Sequence, residues 1–248
     1  MKLHTTAWPS GLIAASITGP TTEKCWDQIE KALEMRADTL EFRFDSMEQD
    51  CQQDILHMLP EFHKVRFILT HRIASHGGPA WNTVDHSLSF WANIFSCHPN
   101  VIALAFLIDW EWEIVFQIHS RHELSGTIIP WKKVLVSRHD MLHTPSEPTL
   151  RYMLGQMSSS RAGAMKFAFM SNSSEDNARI LKLYSWNTSA KPVIAIGMGA
   201  IGIETRLKWL LYSALLTFGR IDQTGSAPGQ PLVSRLVQLR EGWREHEV

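Results

Sequence analysis

The chain has 248 residues, of which 44% are hydrophobic and 20% charged, a composition typical of globular proteins and not of disordered ones. Its 24 Lys and Arg residues nearly balance its 25 Asp and Glu residues. The formal net charge of -1 excludes a strong basic field for collecting nucleic acid or anionic lipid, so we expect a small-molecule partner and no nucleic acid.

The cysteines and the apolar segments indicate the compartment. Cys25, Cys51 and Cys97 are widely spaced, odd in number and without a CxxC pair, which predicts neither a disulfide framework nor a zinc ribbon. The longest uncharged apolar stretches, 192–203 and 209–219, are shorter than the roughly 20 residues that span a membrane. We therefore expect a cytoplasmic protein with no membrane partner.

Short apolar runs rich in β-branched residues recur along the chain and predict eight strands. Most runs do not alternate apolar with polar residues, which is typical of strands buried on both faces of a parallel sheet. The predicted strands cover residues 12–18, 39–44, 65–70, 101–109, 134–138, 165–170, 192–197 and 214–218.

Segments with helical signals separate these strands. Helix starts are predicted at Thr144-Pro145, where proline suits a first turn, and at 173–176, where a hydroxyl cap precedes acidic residues. The repeating unit is therefore a strand followed by a helix. Eight such units in 248 residues average about 31 residues each, which matches the (β/α)₈ barrel of roughly 250 residues.

A doubly wound open sheet is the alternative architecture. It usually has fewer strands and a glycine-rich first turn, whereas the first turn here, Thr18-Gly19-Pro20-Thr21, lacks that fingerprint. We predict an α/β fold, a (β/α)₈ TIM barrel, in a single domain over residues 1–248.

The C-terminal ends of the strands are where such a barrel carries its chemistry. Lys166 is the only charged residue in segment 162–170 and is expected inside the barrel, where loss of solvation disfavours the ammonium form. The free amine can then attack a carbonyl group. The alternative is a lysine that reaches solvent or pairs with a carboxylate.

His139 ends the fifth predicted strand and suits general acid and base catalysis near neutral pH, although a structural histidine is the alternative. Its spacing to His143 fits a shared metal only on a helix. Pro145 and the preceding strand argue against a helix there, so no metal site is predicted.

Three arginines at strand ends, Arg43, Arg72 and Arg206, indicate an anionic substrate, because guanidinium groups bind carboxylates or phosphates through two hydrogen bonds. Each could instead be the structural partner of a carboxylate, namely Glu41, Asp109 or Glu204. The segment 225–230, Gly-Ser-Ala-Pro-Gly-Gln, suits a lid and is equally compatible with an ordinary loop.

Seven short segments occur in an order and spacing that one enzyme family shares. They are Leu-Glu-Phe-Arg-Phe-Asp at 40–45, Leu-Thr-His-Arg at 69–72 followed by Gly77-Gly78, Ile-Asp-Trp-Glu at 108–111, Val-Ser-Arg-His-Asp at 136–140, Met-Lys-Phe-Ala-Phe-Met at 165–170, Met198-Gly199-(x)₂-Gly202-(x)₃-Arg206, and Ser-Ala-Pro-Gly-Gln at 226–230. On these segments the chain resembles the type I 3-dehydroquinate dehydratases of the shikimate pathway.

The resemblance implies dehydration of 3-dehydroquinate to 3-dehydroshikimate by a homodimer with no metal and no cofactor. Lys166 would form a Schiff base with the ring ketone, His139 would act as general acid and base, and Arg206 would hold the substrate carboxylate. The other substrate-binding residues that the resemblance implies are Ser16, Glu41, Arg43, Arg72, Ser226 and Gln230.

The chain departs from the family pattern at His76, where the family has a glutamate that supports the catalytic histidine. We place His76 beside His139 as a supporting group. The departure also motivates a second hypothesis, a barrel with weakened catalysis that binds quinate-type ligands as a sensor. A class I aldolase shares a lysine on strand six but would need a phosphate cradle on strands seven and eight.

Overall fold

The computed structural model describes residues 8–62, 64–121, 124, 126–223 and 225–246. The strands are β1 (Leu12–Ile17), β2 (Thr39–Arg43), β3 (Arg66–Thr70), β4 (Leu107–Glu111), β5 (Val134–Asp140), β6 (Ala164–Met170), β7 (Val193–Met198) and β8 (Leu216–Gly219). The helices are α1 (Thr22–Glu34), α2 (Gln49–Met58), α3 (Val84–Cys97), α4 (Pro99–Leu104), α5 (Trp112–Arg121), α6 (Glu147–Ser159), α7 (Ser174–Trp186), α8 (Gly199–Leu207) and α9 (Val233–His246).

All eight strands pair in parallel in one sheet, in the order β7-β6-β5-β4-β3-β2-β1-β8. The two edge strands of this order, β7 and β8, also contact each other, so the sheet curls into a nearly closed barrel. The predicted (β/α)₈ TIM barrel is therefore confirmed, and the open doubly wound sheet is wrong. Among the described helices, none combines the length and apolar composition of a membrane span.

In most of the strands, residues on the two faces belong to two separate apolar clusters. In β1, Ile13 and Ile17 pack in the cluster that the strands share with the helices, whereas Leu12 and Ala14 belong to a second cluster. The second cluster draws its members from seven of the eight strands and fills the barrel interior. Both faces of the strands are therefore apolar, which explains why the sequence shows unalternating runs.

The predicted strand 101–109 is wrong in its first half. Residues up to Leu104 belong to α4, which begins with Pro99 in its first turn, and β4 begins only at Leu107. Val101 and Ile102 are buried on α4, and a short buried helix has the same unbroken apolar pattern as a buried strand. Periodicity alone could not separate the two.

One predicted helix start is confirmed and one is wrong. Ser173 and Asp176 form a reciprocal capping box at the start of α7, as the residues 173–176 predicted. The start at Thr144-Pro145 is wrong, because α6 begins at Glu147, after Ser146 as its cap and with Pro148 in its first turn. The hydroxyl of Thr144 instead donates to the carbonyl of Met170 at 2.7 Å, joining this loop to the end of β6.

Helix α8 packs with its backbone directly against β7. A Cβ on Gly202 would lie 2.3 Å from the carbonyl carbon of Gly197, which is closer than real Cβ contacts occur. Only glycine therefore allows this approach at position 202. The same helix carries Arg206, so the close packing fixes where that guanidinium sits.

We expect Gly202→Ala to lower the free energy of unfolding by about 1–3 kcal/mol, because the added methyl forces α8 away from β7. Gly155→Ala is the matched control, since a Cβ at position 155 of α6 meets nothing within 4 Å. Gly155→Ala should leave the free energy of unfolding unchanged or raise it by up to about 1 kcal/mol, because alanine favours a helix more than glycine does. Urea unfolding followed by circular dichroism measures both, and equal midpoints for the two variants would contradict the packing described.

Candidate active site

The alternation of the strands places charged side chains in the mouth of the barrel. In β6, Ala164 and Ala168 belong to the inner cluster, so Lys166 between them occupies the same inward-facing row. In β4, Asp109 lies two residues beyond Leu107, which is also a member of the inner cluster. The apolar interior thus ends in a layer of polar groups at the C-terminal ends of the strands.

A cavity with an empty volume of about 500 Å³ opens at this layer. Nine of the ten residues predicted for the site line it: Glu41, Arg43, Arg72, His76, His139, Lys166, Arg206, Ser226 and Gln230. The tenth, Ser16, lies behind the cavity wall and donates a hydrogen bond from its hydroxyl to Oε2 of Glu41 at 2.6 Å. Apolar side chains, including Ile196, Met198 and Phe218, complete the lining.

Asp109 is the centre of a buried ion network. Its Oδ2 lies 2.7 Å from Nη2 of Arg72 and 2.9 Å from Nζ of Lys166, and its Oδ1 accepts a hydrogen bond from Oγ of Ser137 at 2.5 Å. Burial alone would raise the pKa of Asp109, but the charges of Arg72 and Lys166 outweigh it and hold that pKa far below its usual range. Asp109 is therefore an anion at neutral pH.

Lys166 is buried and paired with carboxylates of the site. Besides its contact with Asp109, its Nζ lies 3.8 Å from Oε1 of Glu41 and 4.2 Å from the ring centre of Phe218. The alternative, that Lys166 pairs with a carboxylate, is the arrangement that the structure has. Burial of the pair keeps bulk water from this amine.

Two of the three predicted anion-binding arginines already hold carboxylates of the protein. Arg72 binds Glu111 at 2.8 Å in addition to Asp109, and Arg43 binds Asp45 through two hydrogen bonds of 2.7 and 2.9 Å. The structural reading of these two arginines therefore accounts for their main contacts, although both guanidinium groups still reach the cavity wall.

Arg206 differs, because no carboxylate in the described part of the chain lies within ion-pair distance of it. It is only 2% exposed, its Nε has no hydrogen-bond partner among the described residues, and its Nη2 reaches only the carbonyl of Pro228 at 3.5 Å. Burial lowers the pKa of Arg206 to about 10, so the side chain stays cationic at neutral pH. The cavity thus contains a buried cation that no described carboxylate neutralises, which suits an anionic ligand.

His139 faces the same cavity from β5. Burial lowers its pKa well below 6.5, and the nearby charges of Arg72 and Lys166 lower it further. The ring is therefore neutral near pH 7 and can accept a proton. Nδ1 of His139 lies 3.2 Å from Nδ1 of His76, so the two histidines are direct neighbours.

The loop 225–230 covers one side of the cavity. Oε1 of Gln230 accepts the backbone N–H of Ser226 at 2.9 Å, and its Nε2 donates to the hydroxyl of Ser226 at the same distance. The carbonyl of Pro228 accepts the N–H of Gly199 at 3.2 Å, which ties the loop to the start of α8. The loop is thus closed over the cavity by its own side chains.

The sequence offers Asp109 and Glu111 as polar residues at the end of the fourth predicted strand without assigning them a role, and it does not single out Ser137 or Glu113. Asp109, Glu111 and Ser137 share the inward rows of β4 and β5, so the two-residue alternation of the strands places all three at the cavity end of the barrel. Glu113 lies in the first turn of α5, where nothing in the local sequence indicates its contact with His76.

No group of three or more histidine, cysteine, aspartate or glutamate side chains within the described ranges is arranged to hold a metal ion.

Comparison with known proteins gives one consistent result. The family model of type I 3-dehydroquinase matches residues 13–242. A 3-dehydroquinate dehydratase of Methanocaldococcus jannaschii is 29% identical over 233 residues, covering 94% of this chain and 98% of that protein. A 3-dehydroquinate dehydratase of Methanococcus maripaludis is 30% identical over 202 residues, covering 82% of this chain and 86% of that protein.

Solved structures share the fold. The 3-dehydroquinate dehydratase of Geobacillus kaustophilus superposes with a TM-score of 0.81 at 23% identity, covering 100% of both chains. The type I enzyme of Clostridium difficile superposes with a TM-score of 0.77 at 22% identity, covering 97% of this chain and 94% of that chain.

We expect Asp109→Asn to lower the free energy of unfolding by about 3–5 kcal/mol at pH 7, because it leaves Arg72 and Lys166 buried with less compensation. The folded pKa of Asp109 is depressed, so its stabilisation is present above the unfolded pKa and is lost as the pH falls. The difference in the free energy of unfolding between the wild type and Asp109→Asn should therefore become smaller below about pH 5.

Urea titrations at pH 7 and at pH 4 measure that gap. Glu147→Gln is the control, since Glu147 forms only exposed ion pairs with Arg151 and Lys182 and should change stability little. A gap for Asp109→Asn that stays constant with pH would contradict the charged state assigned to Asp109.

Proposed function

This chain belongs to the type I 3-dehydroquinase family, and we propose that it dehydrates 3-dehydroquinate to 3-dehydroshikimate through a Schiff base on Lys166. One observation carries the proposal: a single cavity holds a buried lysine, a neutral imidazole and a buried arginine that has no counter-ion among the described residues. Those three groups are what attack on a ketone, proton transfer and binding of a carboxylate require.

The first step is condensation of Lys166 with the ring ketone. Nζ of Lys166 donates a hydrogen bond to Oδ2 of Asp109. The nucleophile is the free amine, so Lys166 gives up a proton for the attack, and that proton departs with the carbonyl oxygen in the water that is released. The amine adds to the carbonyl carbon, and loss of the carbonyl oxygen as water leaves a protonated imine. Asp109 keeps its negative charge throughout and stabilises the positive charge of that imine.

The second step is elimination of a hydroxyl group from the ring. His139 removes a proton from the carbon next to the imine, and the electron pair of that bond moves into the imine as an enamine forms. The enamine then expels the hydroxyl on the following carbon, which leaves as water with the proton returned by His139. Hydrolysis of the imine consumes one water and regenerates Lys166, so the net reaction releases one water for each substrate.

Arg206 supplies the binding energy that orients the ring. A substrate carboxylate placed against its guanidinium gives this buried cation the anionic partner that the protein itself does not provide among its described residues. Ser226 and Gln230 lie on the loop beside it and are suited to contact ring hydroxyls, as are Glu41 and Arg43 across the cavity. Arg72 lines the cavity while it binds Asp109, and Ser16 acts behind the cavity wall by donating a hydrogen bond to Glu41.

Three further expectations stay predictions. The homodimer follows from the family resemblance, the cytoplasmic location is supported by the three free thiols, and the reaction is expected to need no added metal or cofactor. Binding of a quinate-type ligand without turnover, the second hypothesis from the sequence, has no separate structural support, because the groups needed for elimination are all in the cavity.

Borohydride added during turnover should inactivate the protein and leave a covalent adduct on Lys166, because a protonated imine is reducible whereas a free amine and ketone do not couple efficiently. Peptide mass spectrometry after incubation with 3-dehydroquinate locates the adduct. Lys132→Ala is the control for a surface amine and should trap as the wild type does. An adduct on another lysine, or active enzyme with no adduct, would exclude Lys166 as the site of the imine.

Arg206→Ala should weaken binding of 3-dehydroquinate by about 2–5 kcal/mol, because it removes a desolvated charge-assisted contact to the carboxylate. The measurement is calorimetric titration in the Lys166→Met background, which cannot turn the ligand over. Arg151→Ala, an exposed arginine on α6, is the control and should bind normally in that background. Unchanged affinity without Arg206 would mean that another group holds the carboxylate, with Arg43 the next candidate.

A further inference from the structure

His76 lies between the proposed base and a carboxylate. It is buried, and its Nδ1 lies 3.2 Å from Nδ1 of His139. Its other ring nitrogen, Nε2, lies 3.2 Å from Oε2 of Glu113 in the first turn of α5. The three side chains therefore form a continuous row from the rim of the barrel to the cavity.

We propose that Glu113 is a positioning residue for the dehydration: through His76 it keeps the proton of His139 on Nδ1 and leaves Nε2 of His139 as the base. The inference rests on the proposed function, because it assigns Glu113 a role only through His139. Glu113 itself does not line the cavity, and the imidazole ring of His76 lies between it and His139.

The facing nitrogens allow two arrangements when both rings are neutral. In the first, His76 carries its proton on Nδ1, and the lone pair of its Nε2 then faces the carboxylate of Glu113. In the second, His76 carries its proton on Nε2 toward that carboxylate, and its Nδ1 accepts the Nδ1–H of His139. In the first arrangement the lone pair of His76 Nε2 faces the negatively charged carboxylate of Glu113, which is repulsive. In the second arrangement the Nε2–H of His76 faces that carboxylate, which is attractive, so Glu113 favours the second.

Glu113 is suited to this role because it is negatively charged and because one of its carboxylate oxygens lacks a hydrogen-bond donor among the described residues. Burial would raise its pKa, but its contact with His76 and the charge of Arg138 lower that pKa below the usual range, so it is an anion at neutral pH. Its Oε2 is buried and has no aligned hydrogen-bond donor among the described residues. Nε2 of His76, 3.2 Å from that oxygen, is placed to supply a donor to it.

The other charges around the two rings act in opposite directions. Arg72, Lys166 and Arg43 disfavour a positive charge on His139, while Glu111, buried beside Arg72, is the second carboxylate that His76 faces. Arg138 lies 3.7 Å from Oε1 of Glu113 and partly neutralises it. When His139 takes the substrate proton, Glu113 is the anion in line with the two rings, so it offsets the charge that develops there.

Nitrogen-15 NMR of the free enzyme tests the tautomer without relying on catalysis. The wild type should carry the proton of His139 on Nδ1, and Glu113→Ala should populate the Nε2–H form of His139 measurably. Glu175→Ala is the matched control, because Glu175 is an exposed acid in the first turn of α7 and contacts neither ring. A wild-type His139 protonated on Nε2 would overturn the inference.

Kinetics give the second test. We expect Glu113→Gln to lower kcat by about tenfold with KM changed less than twofold, since substrate binding does not involve Glu113. Loss of the negative charge makes the imidazole pair harder to protonate, so the acid limb of kcat/KM should move to lower pH. Glu175→Gln should keep both the rate and the pH profile of the wild type.

Repeating the Glu113 substitution in a His76→Glu variant distinguishes a positioning role of Glu113 from a purely structural one. His76→Glu places a carboxylate against His139 directly, so it should move the acid limb to higher pH, and a further Glu113→Gln change should then cost less than twofold in kcat. Equal losses from Glu113→Gln in both backgrounds would show a structural role and overturn the inference. A wild type that does not dehydrate 3-dehydroquinate would instead refute the proposed function, while the NMR measurement would still decide the role of Glu113.

Discussion

The carboxylate of Asp109 holds two cations inside the barrel, and the geometry of the site depends on that interaction. One oxygen contacts both Arg72 and Lys166, and the other accepts the hydroxyl of Ser137. These four groups come from β4, β6, β5 and the end of β3, so a single anion ties together neighbouring strands of the sheet. Burying charges is costly even when they are paired. The network nevertheless has a clear effect, because it holds the amine of Lys166 in one position inside the buried part of the cavity.

The arginines of the site differ in whether a carboxylate of the protein neutralises them. Arg72 and Arg43 have carboxylate partners, whereas Arg206, equally buried, has none among the residues that the structure describes. The same field that holds Asp109 ionised keeps His139 neutral, because Arg72 and Lys166 favour an anion and disfavour a second cation. The charges around the cavity thus account for an anion at Asp109 and a neutral ring at His139 near pH 7, while Arg206 is a buried cation with no carboxylate partner among the described residues.

Much of this could be predicted from local sequence. The apolar runs predicted the number of strands, and polar residues near their ends, together with the family resemblance, indicated nine of the residues that line the cavity. The strand at 101–109 was extended too far because a buried helix such as α4 carries the same apolar pattern. The pairing of Lys166 with Asp109 and the contact of His76 with Glu113 join residues 57 and 37 positions apart in the chain, so only the closed barrel reveals them.

The formation of product from 3-dehydroquinate tests the account most directly. The purified protein, incubated with 3-dehydroquinate, should generate the ultraviolet absorption of a conjugated unsaturated ketone, and Lys166→Met should generate none while keeping the unfolding transition of a folded barrel. Product formed by Lys166→Met at the wild-type rate, or no product from a folded wild type, would contradict the assignment of this cavity as a Schiff-base dehydratase site.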